Sequence, residues 1–434
     1  MVNGKCIAGL VTSALCSFAW ADDLATIYQK ALVNNAQYRA AEAQYASIQE
    51  RVPESAAALL PAVSVSANTT WNDNNSNTLQ HQLYNSNAYT VTLIQPVWRS
   101  QNTIALHEAR SIVDQASAQL DLARQELLIH TAQAYFDVLF AQDALNTLKE
   151  QRAADLQQLE QATRSFDLGS ASITDVRDAK AHYDLLTAQE ISANNDVASK
   201  TQSLRQIINS DPGPLAPLRA GVVLSSPVPD TLGPWERAAE ATNSSVLAAT
   251  AAVEAAQLEA RRARAAHLPT VDLVATHGLS TSATNITVGT NLHADTIGIQ
   301  LSVPIYSGGG TSAKVRENVA LLGKANADLD DARRTSVLSA QQAYLGATSG
   351  LAQVKALVEA VASAQIALDS NKRGVAVGAR INIDVLNAQQ ALAVTERDLA
   401  KSRYETLMSL LRLKASAGSL GAVDIDEVNA LLVK

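Results

Sequence analysis

The chain repeats itself. Leu60-Pro61 matches Leu268-Pro269 and Pro96 matches Pro304, each pair 208 positions apart. Gln133-Ala134-Tyr135 matches Gln342-Ala343-Tyr344, Gly169 matches Gly378, and Asp175-Val176 matches Asp384-Val385, all at 209. The correspondence runs from about residue 23 to 207 against about 234 to 413. Whatever one copy folds into, the other must fold into beside it. Residues 211–233 join the copies and hold Pro212, Pro214, Pro217, Pro227 and Pro229, with Pro234 just beyond. Proline cannot sit in a helix interior, so this stretch is a linker. The first copy occupies 22–210 and the second 234–415, with a tail at 416–434.

Each copy reads as helix, strand, strand, very long helix, tip turn, helix. The long helices run roughly over 100–165 and 310–373. At about 1.5 Å per residue, each is on the order of 100 Å long. Val113, Leu120, Leu127, Ala134, Ala141 and Leu148 recur at strict sevens. That period implies left-handed supercoiling against neighbours. Aromatic residues make up only 4% of the chain, which suits long helices in close lateral contact better than a wide globular core.

A plain coiled coil does not account for the segments between these helices. In 294–306, Ile297, Ile299, Leu301, Val303 and Ile305 alternate with Thr296, Gly298, Gln300, Ser302 and Pro304. Val63, Val65, Ala67, Thr69 and Trp71 share one face of 62–72, and Tyr89, Val91, Leu93 and Val97 one face of 88–98. Residues 270–280 offer Val271, Leu273, Ala275 and Leu279. Alternation over about ten residues fits a membrane-spanning strand with one lipid face and one wet face. Trp71, Tyr89, Trp98 and Tyr306 lie near strand ends, where interfacial aromatics belong. "NDNNSNTLQHQLYNSN" and "ATNITVGTNLH" read as surface loops, which makes hairpins of 62–98 and 270–306. Four strands cannot close a barrel, and open edges are not tolerated in lipid. Several chains must therefore share one barrel. Two would give eight strands with a filled interior, and three would give twelve strands with room for a lumen. The pattern points to a trimer.

Residues 1–21 read as a signal peptide, with Lys5, an apolar run Ile7–Leu15 and the small-x-small site Ala19-Trp20-Ala21. An N-terminal anchor is the alternative, but the run is too short to span a bilayer. Leu15 before Cys16 stands where a lipoprotein signal needs a small residue. Both cysteines, Cys6 and Cys16, fall in this segment, so the mature chain has no thiol for a disulfide or metal. Losing Lys5 takes the net charge from −8 to −9, a poor match to nucleic acid. No run of eighteen apolar residues follows, so no membrane helix is expected.

Enzyme chemistry finds no foothold. His81, His107, His130, His182, His267, His277 and His293 are scattered without ligand spacing. Gly308-Gly309-Gly310 before Lys314 departs from phosphate-loop spacing and reads as a flexible strand-to-helix joint. Pro96 and Pro304 fit the same joints, ending strands that need no further ladder donor. Arg261-Arg262-Ala263-Arg264 reads as a helix end facing solvent or headgroups.

"FDLGSASITDV" at 166–176 and "VAVGARINIDV" at 375–385 interrupt the two long helices in the same way. Gly169 and Gly378 suit a helix C′ position at positive φ. Ser172 can cap the next helix, with Asp175 three residues on. Ile381 stands opposite Ser172, so the caps differ while Asp175 and Asp384 correspond. An Asp in a first helical turn is also favoured by the helix dipole alone.

Taken together, the Leu-Pro before each hairpin, "QPVWRS" and "VPIYSGGG" after each, the two tips and "ITDVRDAKAHYD" resemble the TolC family of outer-membrane exit ducts. The resemblance covers essentially the whole mature chain. It implies a mixed, mainly α fold: a trimeric helical barrel continuous with a 12-stranded transmembrane β-barrel, four strands per chain. It implies no enzymatic activity and no cofactor. It also implies an outer-membrane location reaching into the periplasm of a Gram-negative bacterium, with a periplasmic adaptor (membrane fusion protein) and an inner-membrane ABC or RND transporter as partners. The function it implies is a passive conduit, for type I protein secretion or alternatively multidrug efflux. A secreted trimeric adhesin or scaffold is the alternative of a different class, and the amphipathic strands argue against it. By position, Thr174, Asp175, Arg380 and Asp384 match the family's constriction network. Val375 stands where well-known members carry Tyr, and Asn387 where they carry a further pore-facing Asp. Both departures imply a weaker latch and a weaker acidic ring.

Overall fold

The computed structural model describes residues 21–75, 77, 81–282 and 290–433. The signal segment, apart from Ala21, lies outside the described residues. The first copy opens with three short helices, α1 (Leu24–Asn34), α2 (Ala36–Gln49) and α3 (Arg51–Ala57). It continues through strands β1 (Ala62–Asn74) and β2 (Gln82–Trp98) into the long helix α4 (Ser100–Asp167), then α5 (Ile173–Ile208). The second copy has α6 (Leu232–Thr242), α7 (Ser244–Ala265), β3 (Thr270–Ser282), β4 (Thr290–Ser302), α8 (Gly310–Ala376) and α9 (Asn382–Ser416). A last helix, α10 (Ala422–Asn429), follows. With 68 and 67 residues, α4 and α8 are each roughly 100 Å long.

The four strands form one antiparallel sheet in the order β1-β2-β3-β4. Register puts the apolar residues in shared rows. Val63, Leu93, Ala275 and Ile297 are successive partners across the sheet, whereas the next row, Val65, Val91, His277 and Asp295, turns polar in the second copy. The polar loops are shorter than the sequence suggests. β1 runs on to Asn74 and β2 begins at Gln82, because polar side chains pair across the ladder: Thr69 with Asn85 at 2.9 Å and Asn72 with Ser86 at 2.8 Å. β4 stops at Ser302, opposite the first residue of β3, so Val303–Tyr306 lie beyond the ladder.

Every residue of β4 is exposed, Ile297 and Ile299 at 76% and 77%. Apolar rows on one face and unpaired groups along both edges make this sheet unstable in water as a single chain.

The main core lies around the middle of the long helices. Leu128, Ala132, Tyr135 and Leu139 of α4 meet Leu24, Ile27 and Ala31 of α1, Leu204 and Ile208 of α5, and Leu407 and Leu411 of α9. The Tyr135 hydroxyl donates to Ala216 O at 2.8 Å, fixing the linker to α4. The tail is part of this core: Leu420, Ile425, Val428 and Leu432 pack into it. Tyr344, the repeat partner of Tyr135, packs instead against Trp235, Leu413 and Ala417. Residues two apart on a helix face nearly opposite ways. Gln133 and Asp137 accordingly point away from the core and, with Asp196, Lys200, Lys401, Glu405 and Arg412, line a groove of about 750 Å³. Its three acids and three bases make that wall wet. Over one eighteen-residue window α8 is apolar enough by composition to pass for a membrane span. Ala, Val and Leu raise that average, but Lys355 and Glu359 interrupt the stretch, so it is not an unbroken apolar run of eighteen.

Candidate functional site

The tips are built from the same backbone pattern. After α4, Gly169 takes φ +74°. Its N–H donates to Phe166 O at 2.9 Å, and the Ser170 N–H donates to Ser165 O at 2.8 Å. After α8, Gly378 takes φ +75°, its N–H donates to Val375 O at 3.0 Å, and the Ala379 N–H donates to Gly374 O at 2.8 Å. These paired bonds are the Schellman closure, which needs a residue free to adopt positive φ.

The next helix starts through the aspartates. Asp175 accepts the Ser172 N–H at 3.0 Å, and Asp384 accepts the Ile381 N–H at 3.4 Å. Ser172 Oγ also accepts the Thr174 N–H at 3.2 Å, a bond that Ile381 has no atom to make. The shared role therefore belongs to the aspartates, not to the residues before them.

The Arg380 guanidinium lies 3.7 Å from Asp384, one turn away in the same tip, with side chains 60% and 31% exposed. Such a pair contributes about 0.5 kcal/mol. Thr174 is exposed, its hydroxyl 2.7 Å from that of Ser172. Among the described residues no ion pair links Asp175 to Arg380 within one chain. Contact between the two tips is apolar instead: Leu159 and Ala162 of α4, Val176 and Ala179 of α5, and Ile383 and Leu386 of α9. Val375 packs against the cluster of Leu368, Val385 and Leu392 that joins α8 to α9, while Asn387 is exposed.

At the opposite end, Pro96 opens a register shift between β2 and β3, and Pro304 follows β4. Gly308 and Gly309 take φ +64° and +79°, and Gly310 begins α8. The first joint is tied more firmly than the second. Arg99 grips Asp272 with two bonds, at 2.7 and 2.6 Å, and the Asn102 amide donates to Ala58 O at 2.5 Å. Nothing in the sequence pattern marks Arg99 and Asp272 as partners, because they are 173 positions apart.

Sequence reading also missed Asp155, although its signal was present. One more step of seven past Leu148 lands on it, and the next on buried Ala162. Asp155 is 1% exposed and its Oδ1 has no hydrogen-bond partner. Burial pushes its carboxyl up to about 6, against the pull of His182 on α5. Nearer the sheet, Glu108 is pushed up to about 7, chiefly by burial and then by its bond to Glu259, with Arg262 opposing at 3.1 Å from Glu108.

A hairpin sheet set on two roughly 100 Å helices, duplicated within one chain, is a distinctive architecture. The family described as outer membrane efflux protein matches residues 27–210 and 235–419, both copies almost whole. The chain belongs to that family. It is 30% identical to outer membrane protein TolC of Escherichia coli over 99% of this chain and 88% of that protein. It is 31% identical to the alkaline protease secretion protein AprF of Pseudomonas aeruginosa, over 94% of this chain and 86% of that one. The solved structure of VceC, an outer membrane protein of Vibrio cholerae, aligns with TM-score 0.78 at 19% identity, covering 91% and 96% of the two chains. That of CusC aligns at 0.80 with 17% identity, covering 92% and 93%. The mixed, mainly α fold with four strands per chain is thus the family's fold.

Proposed function

We propose that the protein is the outer-membrane exit duct of a tripartite export system, and that its cargo is protein carried by type I secretion. Three copies would close a 12-stranded barrel in the outer membrane and a helical tunnel across the periplasm. The observation that carries this reading is the sheet. Its apolar rows, bare faces and two open edges need lipid outside and further copies at each side. The charged groove below it suits a water-filled path. No chemistry is needed: the duct lowers the barrier to passage, and an inner-membrane ABC transporter with a periplasmic adaptor supplies the energy. Relatives named for protease secretion, AprF and PrtF of Dickeya chrysanthemi at 28% identity, favour protein cargo.

At the tips, Thr174, Asp175, Arg380 and Asp384 form the gate in this reading, with Val375 and Asn387 making it weaker than the relatives' gates. Arg380 lies 3.7 Å from Asp384 within its own tip, and in this reading it links to Asp175 of a neighbouring copy when the gate is shut. Weak, partly exposed pairs suit a latch that an adaptor must open. The purified protein should run as a trimer in detergent and form channels in planar bilayers. Arg380→Ala, Asp384→Ala and Asp175→Ala should each raise single-channel conductance. Wild-type conductance in all three would leave the aspartates with helix capping alone. Loss of secreted protein, with drug tolerance intact, on deleting the gene supports protein cargo; the reverse outcome assigns it to efflux.

A further inference from the structure

The two tips share a backbone, and among the positions where their residues differ, two are linked. In the first, Ser165 O accepts the N–H groups of Ser170 at 2.8 Å and Ala171 at 3.2 Å. In the second, Gly374 O accepts those of Ala379 and Arg380 at the same two distances. Ser165 and Gly374 are repeat equivalents, as are Ala171 and Arg380. The tip with a one-carbon side chain in the turn carries Ser beneath it. The tip with Arg in the turn carries Gly.

Gly374 lies in the last turn of a helix, where glycine is less favourable than alanine. Positive φ does not explain it, since Gly374 is not among the residues with that geometry. Space does. A Cβ built on Gly374 would stand 2.6 Å from Arg380 Cγ and 3.1 Å from Arg380 Cβ. These atoms are at the root of the side chain, so rotation of the far end cannot relieve the clash. The Arg380 side chain must leave its rotamer, or the turn must shift.

We infer that Gly374 is a positioning residue for the gate: its missing side chain lets Arg380 lie across the end of α8, in reach of Asp384. This rests on the gate reading above. The inference explains why the arginine occurs in the tip that has glycine at this place.

Two experiments test it. In planar bilayers with the full-length protein, Gly374→Ala should raise conductance to the level of Arg380→Ala, and adding Gly374→Ala to Arg380→Ala should change nothing more. Gly374→Ala removes no backbone donor or acceptor from the turn, and Ser165→Gly in the first tip should leave conductance at the wild-type value. Wild-type conductance for Gly374→Ala beside a raised value for Arg380→Ala would overturn the positioning role and leave the gate standing. An unchanged Arg380→Ala would overturn both. The second test does not depend on gating or on Gly374→Ala assembling. Ala171→Arg should lower the melting temperature, and Ser165→Gly added to it should restore part of the loss. Equal melting of the single and double variants would refute the steric reciprocity.

Discussion

Replacing Asp155 with asparagine should stabilise the protein at pH 7.5 and have little effect at pH 4. The carboxyl sits in the seam of sevens, 1% exposed, with one oxygen lacking any partner. Its ordinary value of 3.8 rises to about 6 in the folded chain, first through burial, with His182 opposing. A raised carboxyl value means the folded state holds its proton more tightly than the unfolded state does. The contribution of this group is therefore greatest below pH 3.8 and falls as pH climbs through the window from 3.8 to about 6. Above the window the loss is constant. A rise of about two units sets a ceiling of about 3 kcal/mol per chain. Asparagine has nearly the same shape and cannot ionise, so it should recover much of that amount at pH 7.5. For a chain of this size the gain is at most about 3 °C in melting temperature. Calorimetry of the detergent-solubilised protein and the variant at pH 7.5 and pH 4 measures it. An equal shift at both pH values would refute the reasoning, since the effect would then not come from the charge. So would a lower melting temperature for the variant at pH 7.5, which would mean that the carboxylate has a partner that burial and distance do not reveal.

Arg99→Ala leaves the Asp272 carboxylate, 10% exposed, without its two bonds, and should cost about 1–3 kcal/mol. The temperature at which the oligomer dissociates in detergent reads this. Arg99→Ala/Asp272→Ala should dissociate at a higher temperature than Arg99→Ala alone, because no charge is then left unpaired. Gly350 lies where α8 and α9 approach so closely that a Cβ would collide with the side chain of Thr406. Gly350→Ala should lower stability by about 1–3 kcal/mol in denaturant titration, and Gly350→Ala/Thr406→Ala should recover most of it.

What the sequence shows well is what many residues say together. The sevens along α4 and the alternation along β4 each sum a weak preference over ten residues or more. The long helices accordingly end within a few residues of where the pattern places them. Boundaries set by a single contact are less legible. β1 and β2 run on through a stretch rich in Asn because Asn72 and Asn85 find cross-strand partners, and composition alone reads such a stretch as loop. The tail at 416–434 folds into the core through four apolar residues too few to make a period. The Arg99–Asp272 grip depends on a register between strands from different copies, which no local pattern encodes.

The tips show how a duplicated chain can be read further than a single copy. From sequence, Asp175 and Asp384 correspond while Ser172 and Ile381 do not, so capping and latching both remain open for the aspartates. The hydrogen bonds give the aspartates a common structural duty, to hold the N–H that begins the next helix. A duty performed in both tips cannot be what distinguishes them. The difference must come from residues that occur in one tip alone, and Arg380 with the glycine beneath it is one such pair. The apolar contact of Val176 and Ala179 with Ile383 and Leu386 then holds the two tips of a chain together without using any charge. In the gate proposed above, charge at the tip serves contacts between copies, where breaking an exposed pair of about 0.5 kcal/mol leaves each chain's own packing intact.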